Sequence, residues 1–260
     1  MLDAVLPSGW VFGMARWRNI KLQRLIYKAS KKYPNFMRKL LLSNVKRHVG
    51  DGVDMAHFSP SYMPWDERLC AVPDADLFKD LRDGKASVVT DHIETFTENG
   101  ILLKSGRELE ADIIITATGL NLQVLGGMQL SLNGEPLDVS ERMTYKGVLM
   151  EGVPNMAWVF GYTNASWTLK ADIAAAYVCR LLNYLKENRL SVAMPRAECA
   201  QPQQDHSIMD ALRSGYVQRS SHLLPRQGQG HPWRVTNHYA HDSHMLLEEP
   251  VEDGFLAFSR

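Results

Sequence analysis

Acidic residues are missing from Ala4 to Gly50, a stretch that holds eleven lysines and arginines, from Arg16 to Arg47. The whole chain is formally neutral, so its acids are concentrated later. A one-signed segment can meet phosphates, nucleic acid or anionic lipid, but its simplest reading is a solvated face beside acidic neighbours of the same fold. A phosphate-bearing cofactor comes second. Nucleic acid is not expected as a partner. Cysteine is scarce: Cys70, Cys179 and Cys199 have no paired spacing, which excludes a disulfide framework and a cysteine-ligated zinc site. No apolar run reaches the about 18 residues that a membrane span needs. The N-terminus lacks the basic-then-apolar layout of a secretory signal. The expected location is cytoplasmic. Internal repeats are also absent, and low complexity is confined to Arg226-Gln227-Gly228-Gln229-Gly230. What remains is a globular composition, 45% hydrophobic and 22% charged over 260 residues, enough for one large domain or parts of two.

Periodicity divides the chain. Residues 1–15 read as irregular and 16–49 as two helices. Leu22, Leu25, Ile26, Ala29 and Tyr33 share one face of the first. Pro34-Asn35 breaks the run, and Met37, Leu40, Leu41 and Val45 restart it. Both stripes are expected to pack on the domain and on each other. A short helix is expected from Asp76 to Arg82. A strand-like region follows: Ser87 to Thr90, then a hairpin of His92 to Thr97 and Ile101 to Lys104 around Asn99-Gly100, a pair that favours a primed turn. Ala111-Asp112-Ile113-Ile114-Ile115-Thr116 reads as a central strand buried on both faces, stopped by Ala117-Thr118-Gly119. A loop-rich stretch with a turn at Asn133-Gly134 runs to Val153. Met156 to Phe160 reads as another buried strand. Ser166 can cap a helix from Trp167 to about Asn188, apolar on most of its faces. From Leu190 the tail reads as irregular.

Several groups could carry chemistry. His238, His241 and His244 recur every three residues, but no Cys or Glu accompanies them at a metal-site spacing, and no metal is proposed. Gly228-Gln229-Gly230 lacks the preceding strand of a phosphate loop. The Thr163-Asn164-Ala165-Ser166 turn opens a helix, whose first amides are unpaired and partly positive. As an isolated feature it is a capping turn. Arg68, on the same terms, is a surface arginine paired to Asp66 or Glu67.

Four stretches together carry a resemblance: Tyr62-Met63-Pro64-Trp65-Asp66-Glu67-Arg68-Leu69-Cys70, Gly84 to Asp91, Ala111 to Leu120, and Gly161-Tyr162-Thr163-Asn164-Ala165-Ser166-Trp167-Thr168-Leu169-Lys170. From about Arg16 onward the chain resembles the C-terminal half of flavin-containing Baeyer–Villiger monooxygenases, within them the subgroup of the mycobacterial thioamide-prodrug activator. The resemblance implies an α/β chain with a partial two-dinucleotide-binding flavoprotein fold. Residues 1–119 would be the C-terminal part of a nicotinamide-binding domain with a helical pair and an antiparallel β-arm, and 120–260 the C-terminal part of an FAD-binding domain with a tail. It implies FAD and NADPH as cofactors, and a ketone or sulfur-containing small molecule as substrate. Arg68 matches the family's active-site arginine, where a guanidinium that cannot lose its proton would stabilise negative charge developed in oxygen transfer. Thr118 and Gly119 match a crossing near the nicotinamide cofactor, and Thr163, Asn164 and Ala165 a turn beside the flavin ring.

The departures from that pattern matter as much. The family's two Gly-x-Gly-x-x-Gly turns are not in these 260 residues, nor is its fingerprint between them. The chain therefore reads as an N-terminally truncated or split enzyme, inactive alone, that pairs with a separate N-terminal half or with itself. The alternative is a non-catalytic remnant or interaction module that binds no flavin. A further reading makes residues 10–49 a membrane-surface element, with Trp10, Phe12 and Trp17 beside basic helices.

Overall fold

A computed structural model describes residues 7–67, 69–70, 72–197, 202–209 and 212–260, with backbone alone for 202–207. The chain forms two compact units: Ile26–Leu120, and Met1–Leu25 with Asn121–Arg260. Helix α1 (Ser8–Lys32) contains the first boundary between them. It begins well before Arg16, because the Pro7 carbonyl accepts the amides of Trp10 and Val11 and starts the helix there. Tyr33 precedes a proline, leaves helical angles (φ −130°, ψ 61°) and separates α1 from α2 (Pro34–Val49). Gly50, at φ 74°, closes α2 by donating to the Lys46 carbonyl.

In the Ile26–Leu120 unit, α2 packs on α3 (Asp76–Arg82), which has the bounds its sequence implies. Phe58 meets Phe78 edge-on at 5.7 Å, and Tyr27 meets Trp65 likewise at 5.5 Å. The helical stripes are less covered than expected. Met37 and Val49 are buried, but Leu22, Leu25, Ile26, Tyr33 and Leu40 are exposed. Strands β1 (Ile93–Phe96), β2 (Gly100–Leu103) and β3 (Glu108–Glu110) form an antiparallel sheet in that order. The hairpin forms at the expected place, but neither Glu98 nor Asn99 has positive φ, so its turn is not primed. Gly100 is required for another reason: a Cβ there would lie 1.9 Å from the Leu109 carbonyl oxygen.

Two expected strands are not strands. Ser87–Thr90 joins no ladder, and neither does Ala111–Thr116. Ile113 is 81% and Ile115 86% exposed, so the isoleucine run is not buried on both faces. Ala111 donates to the Asn99 carbonyl at 3.0 Å, and beyond it the segment finds no neighbouring strand among the described residues. An apolar run becomes a central strand only where two neighbours supply ladder partners.

The other unit opens with hairpin β4 (Leu130–Leu132) and β5 (Glu135–Leu137). Its Asn133-Gly134 loop has φ 54° and 89°, the primed turn. A second tight turn joins β6 (Thr144–Tyr145) to β7 (Leu149–Met150) through Lys146 (φ 52°) and Gly147 (φ 64°). Met156–Phe160 is reduced to one bridge, Ala157 to Leu149, although Trp158 is buried. Helix α4 (Trp167–Glu187) is amphipathic rather than buried all round: Ile173, Ala174, Tyr177, Leu181 and Leu185 face the core, whereas Leu182 is exposed. Burial of each large apolar side chain there contributes about 1.5–3 kcal/mol.

The tail after Leu190 is structured, contrary to expectation. It contains β8 (Val192–Pro195), β9 (Pro202–Ser207), α5 (Gly215–Ser220), β10 (Arg226–Gly228), α6 (Tyr239–Leu247) and β11 (Leu256–Ser259). Strands β8 and β11 pair antiparallel, as do β9 and β10. The main core joins α4 to this tail through Trp233, Met245, Leu246, Val251 and Leu256, together with Tyr145 and Leu149. A second cluster gathers Trp158, Ile208, Met209, Leu212, Val217 and Leu224. The architecture is mixed α/β, and its named strands pair only antiparallel.

Candidate functional site

A dense set of polar contacts surrounds the turn before α4. Gly161 approaches the ring of Trp167 so closely that a Cβ would lie 2.2 Å from its Cγ. The chain then passes through buried Tyr162 and Thr163, and through half-buried Asn164 and Ala165, into the helix. Ser166 occupies the N-cap position, but its hydroxyl bonds the Thr168 hydroxyl at 2.8 Å and makes no side-chain cap. The turn is held from the side by the segment just before α6. The Thr163 amide donates to Asn237 Oδ1 at 3.4 Å, and Asn164 Nδ2 donates to the Asn237 carbonyl at 3.0 Å.

Beneath the turn lies a buried ion pair. Lys170, in the first turn of α4, donates to Asp242 Oδ2 at 2.9 Å, and both side chains are at most 4% exposed. Asp242 also accepts from the Tyr162 hydroxyl at 2.9 Å and the Thr236 hydroxyl at 2.8 Å. Its lone pairs are therefore well used, as burial requires. Burial pulls the Lys170 pKa below its ordinary value, while Asp242 opposes that fall. Tyr162 is pushed well above its ordinary range, by burial first and by the Asp242 charge second.

A second buried lysine backs onto the first. Lys146 holds left-handed angles within the β6–β7 turn, with its side chain fully buried. Its Nζ lies 3.0 Å from Asp253 and 3.6 Å from Glu249, an ion pair by distance without hydrogen-bond geometry. Lys170 Nζ reaches the Lys146 carbonyl at 3.4 Å. Tyr145 donates to Asp253 at 2.6 Å. Sequence reading missed both lysines. The one available signal was Lys146-Gly147 between Thr144-Tyr145 and Val148-Leu149, a turn signature that leaves a lysine nowhere obvious to go.

The remaining site expectations divide by region. Thr163, Asn164 and Ala165 come together in this one turn. Thr118 and Gly119 belong to the Ile26–Leu120 unit, where both are exposed and Gly119 has φ 118°. Arg68 lies outside the described residues. Its neighbour Asp66 accepts from Lys31 Nζ at 3.0 Å and from the Met63 amide at 3.2 Å. The three histidines near α6 serve local ends: His238 sits at the helix N-cap and accepts the His241 amide, His241 lies 3.7 Å from Asp242, and His244 bonds Glu248. No group of three potential metal ligands converges among the described residues.

While the Lys170 ammonium beneath it is taken up by Asp242, the turn can present helix-start amides to an acceptor-rich group. This is the chemistry of a site for an anionic or carbonyl-lined edge. Comparison with known proteins gives the class: the chain is homologous, over its whole length, to the C-terminal half of FAD-containing monooxygenases. It is 57% identical over 261 residues to MymA of Mycobacterium tuberculosis, named as an FAD-containing monooxygenase, and covers 52% of it. It is 49% identical over 256 residues to AlmA of Acinetobacter baylyi, named as an FAD-binding monooxygenase, and 45% identical over 260 residues to the FAD-containing monooxygenase EthA of M. tuberculosis. It thus spans about half the length of the curated relatives it matches. The FAD-bound crystal structure of OTEMO superposes with a TM-score of 0.52 over 64% of this chain and 33% of that one, at 20% identity, a likeness of fold. No protein-family model matches.

Proposed function

We propose that this chain is the flavin-ring side of an FAD- and NADPH-dependent monooxygenase of the Baeyer–Villiger type, acting on a ketone or a sulfur-containing small molecule. Residues 120–260 belong to its FAD-binding domain and 1–119 to its nicotinamide-binding domain, in a partial two-dinucleotide-binding fold. The observation that carries this reading is the 45–57% identity, along the whole chain, to FAD-containing monooxygenases. The clamped turn supports it. Asn164 and Ala165 stay half-exposed at the start of α4, while Tyr162, Lys170 and Asp242 hold the backbone from below.

Bound FAD, reduced by NADPH, supplies the oxygen-transferring chemistry. The residues of this chain do the rest. The turn Thr163–Ala165 holds and orients the acceptor-rich edge of the ring, and Thr118 and Gly119 let the nicotinamide cofactor approach closely. Arg68 is the fixed cation for charge that develops on oxygen. Loss of such a cation costs on the order of 100-fold or more in rate.

The test is calorimetry with FAD. The chain alone should bind it weakly, because no Gly-x-Gly-x-x-Gly turn is present to cradle the pyrophosphate. Addition of the remaining part of a relative such as MymA should give stoichiometric binding and NADPH oxidation. In that mixture Arg68→Ala should abolish product while NADPH oxidation continues. Submicromolar binding by the chain alone would oppose the split reading. No binding in the mixture would favour the second reading, a non-catalytic module, to which the unpaired segment 112–119 lends support.

A further inference from the structure

We propose that the outer face of α1 is a docking surface for an anionic lipid bilayer, on which the helix lies without crossing. This stands independently of the flavin chemistry. Of the 25 residues of α1, Ser30 is the buried one. Trp10 is 70%, Phe12 67% and Trp17 60% exposed, and Met14, Leu22 and Leu25 are exposed as well. Trp10, Met14, Trp17, Lys21 and Leu25 follow one another at helical spacing and share a face. Lys21 Nζ stands 3.9 Å from the centre of the Trp17 ring, so its apolar stem runs along the indole.

The helix is fastened by residues outside that stripe. Arg16 pairs with Asp172 at 2.6 Å, and Arg24 Nη2 lies 3.0 Å from His238 Nε2. Both bonds stay within the Met1–Leu25, Asn121–Arg260 unit and leave the stripe uncovered.

Charge chooses the occupant. Helix α1 carries no acid, and exposed Arg18 and Lys21 lie on or beside the stripe, which suits a surface of uniform negative charge. The apolar members choose between anionic surfaces: Met14 and Leu25 gain nothing from a phosphate backbone, but they and the two tryptophans suit the headgroup–acyl boundary. No helix among the described residues is long and apolar enough to cross a membrane, so the contact is peripheral.

Co-sedimentation of the 260-residue chain with sucrose-loaded vesicles tests this. Vesicles with about one part phosphatidylglycerol to three of phosphatidylcholine should bind it at least about tenfold better than phosphatidylcholine alone. Binding should fall as salt rises. The double variant Trp10→Ala/Trp17→Ala should lose most of it at unchanged charge and unchanged circular dichroism. Arg18→Glu/Lys21→Glu should lose it too. Equal sedimentation with both vesicles would overturn the proposal, as would binding indifferent to the tryptophans. Light scattering that shows a stable dimer dispersed by the tryptophan variant would assign the face to a second copy instead, and would also overturn it.

Discussion

The turn Tyr162–Lys170 and the segment 111–119 are both expected to lie against a cofactor, yet they are built in opposite ways. Every polar group of Tyr162, Thr163, Asn164 and Lys170 described above finds a partner within the same unit, mostly on residues 236–242. The other segment shows its three isoleucines to solvent and joins no ladder. A turn can be completed by side chains from one neighbouring segment. A central strand cannot, because its amides and its two faces need strands on either side. One region is thus closed by side chains of its own unit, and the other joins no ladder among the described residues.

The sharpest way to break that contrast is Asp242→Ala. It removes the carboxylate that Lys170, Tyr162 and Thr236 share, and leaves an ammonium buried. We expect a loss of about 3–5 kcal/mol, read by urea denaturation. Asp242→Ala with Lys170→Met should recover part of that loss, which a purely steric role for Asp242 would not allow.

Alkali attacks the same region. Tyr145, Tyr162 and Tyr177 all have pKa values raised chiefly by burial. Above about pH 10 the unfolded chain releases these protons and the folded chain keeps them, so stability falls as pH rises, by about 1.4 kcal/mol per pH unit for each tyrosine. Lys170, with its pKa lowered, acts in the opposite sense: its contribution rises with pH up to about 10.5. Three groups outweigh one. Absorbance at the tyrosinate band should show these tyrosines titrating together with loss of the near-ultraviolet dichroism. Their smooth titration in a folded protein would contradict the burial.

Gly161→Ala should cost about 1–3 kcal/mol, because the added methyl meets the Trp167 ring. A shift in tryptophan emission should accompany the lower thermal midpoint. Ile115→Ser should change stability by less than about 0.5 kcal/mol, as befits an exposed side chain. A loss of several kcal/mol there would show that the segment is packed, and would erase the contrast.

Local signals were legible in the sequence and distant ones were not. Helix α3, the α1–α2 break before Pro34, and the turn at Asn133-Gly134 each depend on a few adjacent residues, and each stands where it was expected, although the primed geometry expected at Asn99-Gly100 occurs at Asn133-Gly134 instead. The isoleucine run misled because burial belongs to the neighbours and not to the run. The tail misled in the other direction. Its Pro, Gly, Gln and His content hid Trp233, Met245, Leu246 and Leu256, which complete the main core. Of the candidate site, the turn itself was legible as a helix start. Its clamp was not, since nothing near Asp242 announces a partner 72 residues earlier.

That separation fixes an order of events. A chain emerging from the ribosome presents Tyr162 and Lys170 long before Thr236 and Asp242 have been made, because the bonds that hold the turn span 72 to 80 residues. Until then Lys170 must stay in water, since no carboxylate has arrived to make its burial tolerable. The turn is consequently a late structure, set when the last quarter of the chain docks. Arrested nascent chains of increasing length should show Trp167 becoming shielded from quenchers only once Asp242 has cleared the exit tunnel.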